Sequence, residues 1–242
     1  MASRVLVASA ALVLVIGCDR LPGRPRPEAR PLRPSQVTDF AALYAENCVG
    51  CHGSEGSPGA AVGLADPVYL AFADDATLRS ATAEGVPGTA MPAFARSAGG
   101  HLTDEQIDIL VREMRARWAR PGGLGGSTPP SYPAAPGDAN RGAQVYASTC
   151  AACHGPTGEG GERGGSVVDG SYLGLVSDQG LRTAVVVGRP ALGMPDWRGD
   201  PPGSPMSADD VADVVAWLVA QRPELPGQPY PSPPETRGRK DG

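Results

Sequence analysis

Two short stretches carry the chemistry of this sequence, Cys48-Val-Gly-Cys51-His52 and Cys150-Ala-Ala-Cys153-His154. A Cys-x-x-Cys pair sets two thiols on one turn, and the adjoining histidine puts an imidazole where it can ligate a metal held there. This reads as a site of covalent haem attachment, with two thioether bonds to the porphyrin and the histidine as proximal iron ligand. A redox dithiol and half of a zinc site are the competing readings. Zinc needs its ligands in fours, and the chain has 3 histidines: His52, His101 and His154.

Two matching sites must be positioned by two matching folds, and the rest of the chain repeats accordingly. The motifs are offset by 102 residues, and the same offset brings Tyr44 onto Tyr146, four residues before each first cysteine. Met91-Pro92 falls on Met194-Pro195 at an offset of 103, and Thr103 on Ser207 at 104. A repeat of this length is a duplicated domain.

Each copy reads as helical. Phe40, Leu43 and Tyr44 share one face of a helix over 38–47 that runs into the first motif, and Asp138 caps its counterpart over 138–149. Thr103 with Gln106 forms a capping box, and Leu102 with Ile107 a hydrophobic staple. Ile107, Leu110, Val111 and Met114 continue that stripe to Trp118. The second copy has Ser207 as cap, Met206 and Val211 as staple, then Val214, Val215 and Leu218. The run Ala184–Val187 is also expected to be helical.

Composition marks the segments between and around the copies. The chain holds 33 Gly and 26 Pro but only 3 Trp, 6 Tyr and 3 Phe, too few aromatics for a large core built from side chains alone. Much of the Gly and Pro falls in an Arg/Pro-rich tether over 18–35, a linker over 121–136 and a tail over 223–242 expected to be disordered. The linker has no helical or strand pattern and reads as a flexible connection.

The fifth cysteine, Cys18, leaves an odd number, which argues against a simple disulfide framework. It ends the apolar run 5–16, which follows Arg4. That run is shorter than the roughly 20 residues that span a bilayer but suits a signal peptide. Val15-Ile16-Gly17-Cys18 resembles the lipobox of bacterial lipoproteins. The resemblance implies removal of residues 1–17, acylation of Cys18 and a lipid-anchored chain on the extracytoplasmic, periplasmic side of a bacterial membrane.

Residues 36–120 and 137–222 each resemble a class I cytochrome c domain, so the expected fold is all-α, with two tandem domains wrapped around two covalently attached haem c groups. In that family a helix enters the Cys-x-x-Cys-His motif, a loop delivers a distal Met often followed by Pro, and a closing helix crosses the first. The resemblance makes Cys48, Cys51, His52 and Met91 the cofactor-binding set of the first domain, and Cys150, Cys153, His154 and Met194 that of the second. The iron ligands are then His52, Met91, His154 and Met194. Met91 and Met194 lie 39 and 40 residues after their histidines. Of the other methionines, Met114 sits in a helix stripe and Met206 at a staple. His101 has no counterpart; the alternatives for it are a ligand that replaces Met91 in another redox state and, the commoner case, a solvated histidine before a helix cap. The family's helix crossing fits Gly142 with Trp217; the aligned pair in the first copy is Phe40 and Glu113, so Phe40 is expected to fill its crossing.

His/Met ligation implies electron exchange without an open position for substrate, and therefore no catalytic residues. The expectation is a membrane-anchored relay of single electrons between respiratory-chain donor and acceptor proteins, from a quinol-oxidising complex toward a terminal oxidase or reductase. Residues 35–120 and 136–225 each carry 11 acidic and 6 basic side chains, and the one lysine is Lys240. This balance points to partners with basic or apolar docking patches and to no nucleic acid. The alternatives are a dihaem enzyme resembling cytochrome c peroxidase or thiosulfate dehydrogenase, and a fixed cytochrome subunit of a quinol-oxidising complex or oxidase.

Overall fold

A computed structural model describes residues 31–223 apart from Pro58, Gly88, Ala134 and 200–203. The expected signal peptide, Cys18, most of the tether and nearly all of the tail lie outside the described residues. No helix among the described residues is long and apolar enough to cross a membrane.

The described fold is helical, with two isolated bridges and no strand. The first repeat contains α1 (Phe40–Asn47), α2 (Val49–His52), α3 (Pro67–Phe72), α4 (Asp75–Glu84) and α5 (Asp104–Trp118). The second contains α6 (Ala139–Thr149), α7 (Ala151–His154), α8 (Gly170–Leu175), α9 (Asp178–Val187) and α10 (Ala208–Ala220). In each, the closing helix crosses the first, and the fourth packs on the closing helix.

The ends of these helices follow from side-chain acceptors that meet otherwise unpaired amides. Asp39 accepts from the Ala42 amide at 2.8 Å, so α1 begins two residues later than the apolar pattern suggests. Asp138 caps α6 as expected. The Thr103–Gln106 capping box forms in both directions, at 3.2 and 2.9 Å. Ser207 forms the corresponding box with Asp210. The staple residues Leu102, Ile107 and Val211 are buried, as are Met114, Val214 and Leu218. The 184–187 run is helical, within α9.

The short helices α3 and α8 are not expected from periodicity, since six residues complete fewer than two turns. Their local signals are caps: Asp66 followed by Pro at the first helical position, and Asp169. Each short helix is clamped by an arginine of the closing region. Arg115 donates to the carbonyls of Leu70 and Ala73 and meets Asp75 at 2.5 Å. Arg222 donates to the Leu173 carbonyl at 3.0 Å, the Val176 carbonyl at 2.7 Å and Asp178 at 2.5 Å. The acceptors are offset by 103 residues between repeats but the donors by 107, so one clamp is built from a residue within α5 and from one just past the end of α10.

The 121–136 segment is irregular, yet it is not the flexible connection its composition suggests. Leu124 is buried, and its carbonyl accepts from Arg198 at 3.3 Å. Tyr132 packs on Phe72 of α3 with ring centroids 4.9 Å apart.

Candidate haem-attachment sites

The first helix of each repeat delivers its motif almost without a break. Cys48 and Cys150 serve both as C-cap of α1 or α6 and as N-cap of the one-turn helix α2 or α7 that ends at the histidine. The turn puts the two cysteines of each pair three residues apart on neighbouring positions. All four thiols are free of disulfide bonds.

Tyr44 and Tyr146 owe their matched register to a specific bond. The Tyr44 hydroxyl donates to the Gly53 carbonyl at 3.0 Å, and the Tyr146 hydroxyl to the Gly155 carbonyl at 2.6 Å. Each phenol thus ties the helix before the motif to the residue just after its histidine. Burial and the nearby Cys48 sulfur push the Tyr44 hydroxyl up to about 12, keeping it a donor throughout the neutral range.

The imidazoles are oriented from behind. His52 Nδ1 lies 2.9 Å from the Val62 carbonyl oxygen, and His154 Nδ1 lies 2.7 Å from that of Gly165. A carbonyl can only accept, so Nδ1 carries the hydrogen and the Nε2 lone pair is left for a metal. His52 is buried and its pKa is lowered by that burial, which keeps it neutral and able to ligate. The chain passes close to His154: a methyl group added at Gly164 would lie 2.9 Å from the ring's Cε1 and Nδ1. Periodicity does not reveal these carbonyl partners, because they lie 10 and 11 residues away in irregular loops.

The thiol environment separates the competing readings of the motif. A redox dithiol depends on a thiol whose pKa is depressed. Burial, followed by the neighbouring Cys51, pushes Cys48 up to about 11, and burial raises Cys150 as well. Nor does a zinc site take shape: among the described residues, no group of three or more His, Cys, Asp and Glu side chains converges. Four unpaired thiols and two imidazoles with fixed hydrogens do fit two thioether-bound, histidine-ligated haems.

Met91 and Met194 are each half-buried in the loop after the fourth helix. Gly85 and Gly188 end α4 and α9 with φ of 74° and 68°. A Cβ would stand 2.7 Å from the Met91 carbonyl oxygen at Gly85, and 2.3 Å from the Pro195 carbonyl oxygen at Gly188. Only glycine lets the chain double back so tightly. This matched pair, at an offset of 103, is a site feature that the motif and methionine patterns alone do not point to. The loops share one backbone bond, from the Val86 amide to the Met91 carbonyl at 3.1 Å and from the Arg189 amide to the Met194 carbonyl at 3.0 Å. They differ at the methionine amide, which donates to Thr89 Oγ1 at 3.1 Å in the first repeat and to the Arg189 carbonyl at 3.1 Å in the second.

His101 is exposed but engaged: Nε2 lies 2.7 Å from Asn47 Oδ1, and its ring meets the edge of Phe94. Asn47 donates its amide to the Leu43 carbonyl, so this histidine links the loop after Met91 to α1.

Comparison with known proteins gives the same two-part division. The chain is 33% identical over 141 residues to the cbb3-type cytochrome c oxidase subunit CcoP of Azospirillum sp. (strain B510), covering 53% of this chain and 42% of that protein. It is 31% identical over 167 residues to subunit FixP of Azorhizobium caulinodans, covering 64% of this chain and 50% of that one. The chain thus matches about half the length of these curated relatives. Among solved structures, a chain of the reducing HAO-like protein complex of Kuenenia stuttgartiensis superposes with a TM-score of 0.46 at 17% identity, over 80% of this chain and all of that one. The family described as cytochrome c oxidase, cbb3-type, subunit III matches twice, over residues 35–112 and 137–218. With the family matched in tandem over more than half its length, the chain belongs to this cbb3-type subunit III family and is a c-type cytochrome with two covalently bound haem groups.

Proposed function

We propose that this cytochrome relays single electrons to a cbb3-type terminal oxidase, as a subunit or close partner, from the periplasmic face of a bacterial membrane to which acylated Cys18 anchors it. In this reading Cys48 and Cys51 hold one haem and Cys150 and Cys153 the other, with His52 and His154 as proximal and Met91 and Met194 as distal ligands. When bound, haem c supplies a one-electron ferric/ferrous couple. The chain's own contribution is to hold each imidazole by its Nδ1 hydrogen, bring the distal loop back at Gly85 and Gly188, and fix the motif through Tyr44 or Tyr146. A fully ligated site has no position for substrate, so the domains exchange electrons and turn nothing over. The observation that carries the reading is the duplicated Cys-x-x-Cys-His turn, with each histidine's Nδ1 held on a loop carbonyl.

Redox titration of the full chain tests it. The expected result is two low-spin haems, with Met91→Ala and Met194→Ala each lowering the potential of a different one, since thioether ligation raises the potential. Potentials unchanged in both variants would overturn the ligand assignment, and a high-spin haem in the purified protein would favour the peroxidase-like alternative. Co-purification from detergent-solubilised membranes with the oxidase's catalytic subunit is the expected sign of the partnership, and migration as a free carrier would remove it.

A further inference from the structure

The seam between the two domains holds a buried arginine that neither haem site uses. Arg182, on α9 of the second domain, is 2% exposed. Its Nε donates to the carbonyls of Ser131 and Tyr132 at 3.2 Å each, and one terminal nitrogen donates to the Ser131 carbonyl at 2.7 Å. The other terminal nitrogen is buried with no hydrogen-bond partner among the described residues. The guanidinium therefore grips the backbone of the interdomain segment.

A second side chain converges on the same segment: Gln179, one turn before Arg182, donates to the Tyr132 carbonyl at 3.2 Å. The Tyr132 ring turns the other way and packs on Phe72 of the first domain at 4.9 Å. Tyr132 is thus a wedge, held by the second domain through its backbone and touching the first with its ring. Eight residues earlier, Leu124 is buried and bonded to Arg198, which also pairs with Asp196 in the loop after Met194. The helices α3 and α9 pack against each other beside the wedge.

A buried cation that has no ion pair among the described residues lowers stability, and a plain spacer has no need of one. What it secures is a single docking of the segment, since guanidinium donors are fixed in direction. We propose that Arg182 and Tyr132 are positioning residues that lock the two haem domains in one arrangement, so that electrons pass between the haems across a constant gap. The proposal rests on the relay reading above.

Spin labels on Glu105→Cys and Ala147→Cys, one exposed residue in each domain, report the separation in the full haem-loaded chain. Single-cysteine controls account for any label at Cys18. A narrow distance distribution is expected in the parent, and a broad one in Arg182→Ala and in Tyr132→Gly. Tyr132→Gly alters no residue of either helical domain, so it keeps the test open where Arg182→Ala does not fold. Tyr132→Phe, which keeps the ring on Phe72, is expected to retain the narrow distribution. After photoreduction of one haem, electron equilibration is expected to be single-exponential in the parent and in Tyr132→Phe, and to lose that form in the two loosened variants. A broad distribution in the parent, or parent-like distances in Tyr132→Gly, would overturn the lock. Absence of low-spin haem signals would overturn the relay reading and leave the distance result intact.

Discussion

In the second domain α6 and α10 meet backbone to backbone at Gly142, where a methyl group would lie 2.0 Å from the Asp213 carbonyl oxygen and 2.8 Å from Trp217 Cβ. In the first domain the aligned residue is Phe40, whose ring meets Trp118 edge-on at 5.9 Å and Tyr44 at 5.6 Å, with the Arg117 guanidinium 4.7 Å above it. Tyr146 stacks on Trp217 at 4.2 Å where Tyr44 meets Trp118 at 5.2 Å. The same crossing is thus filled once by removing a side chain and once by adding one. Phe40 fills its crossing as expected, but its partner is Trp118, further along α5 than the aligned Glu113. Two packing solutions serve one motif because the motif needs only the tyrosine and the helix end in place.

This comparison breaks most readily at the crossing itself. Gly142→Val forces a side chain into the Asp213 carbonyl and is expected to destabilise the second domain by about 3 kcal/mol, the upper end for overpacking. Phe40→Ala leaves a void against Trp118 and is expected to cost the first domain about 3 kcal/mol, at the low end for a buried Phe. Hydrogen exchange resolved by peptide measures both, through protection of α10 and α5 respectively. Loss in the wrong domain, or none, would dissolve the contrast.

A smaller effect tests whether the arginine clamps are equivalent despite their different positions. Arg115→Ala and Arg222→Ala each leave two carbonyls of a short helix without their donor, at an expected cost of about 2 kcal/mol. Denaturant unfolding of the two variants should give similar losses, and a large inequality would mean that only one clamp supports its domain.

How much of this the chain discloses before folding depends on the range of each signal. The attachment motifs, the Thr103–Gln106 capping box, the Ser207 cap and the closing helices are local patterns, and each stands where its pattern lies. The offset tyrosines were visible as a repeat, although their acceptors, the carbonyls of Gly53 and Gly155, were not. Backbone partners leave no mark in side-chain identity, which is why the carbonyl supports of His52 and His154 do not show in the sequence. The clamps were hidden because Arg115 and Arg222 do not align. The linker shows the opposite failure: its Pro and Gly content is real, but Leu124 and Tyr132 are anchored by residues more than 45 positions away. Burial also differs between equivalent faces. Tyr69 and Phe72 are buried on α3, while their counterparts Tyr172 and Leu175 on α8 are 37% and 60% exposed. Identical positions in a duplicated sequence therefore meet different neighbours.

The capping boxes sharpen the comparison from the side of similarity. Thr103→Ala and Ser207→Ala each remove one side-chain acceptor from an N-terminal amide and are expected to cost about 1 kcal/mol. The losses should be nearly equal, read as increased exchange in the first turn of α5 and of α10.

The smallest expected effect separates the domains by charge. Asp213 on α10 is buried, with its side chain 5% exposed, and accepts from Arg141 at 2.7 and 3.0 Å and from the Asp138 amide at 2.6 Å. The hydrogen bonds from Arg141, then that from the Asp138 amide, favour the ionised carboxylate and hold its pKa below the ordinary range. The first domain has Ile109 at the aligned position, which cannot titrate. A depressed folded-state pKa contributes stability that is complete above the unfolded value of about 3.9 and fades as pH falls through the folded value. The effect is modest because Arg141 is itself 64% exposed and well solvated. Thermal unfolding of the parent followed from about pH 5 to about pH 3 is expected to fall more steeply than that of Asp213→Asn, which starts less stable and has no carboxylate left to protonate there. Parallel slopes would show that the Arg141–Asp213 pair adds no pH dependence to the second domain.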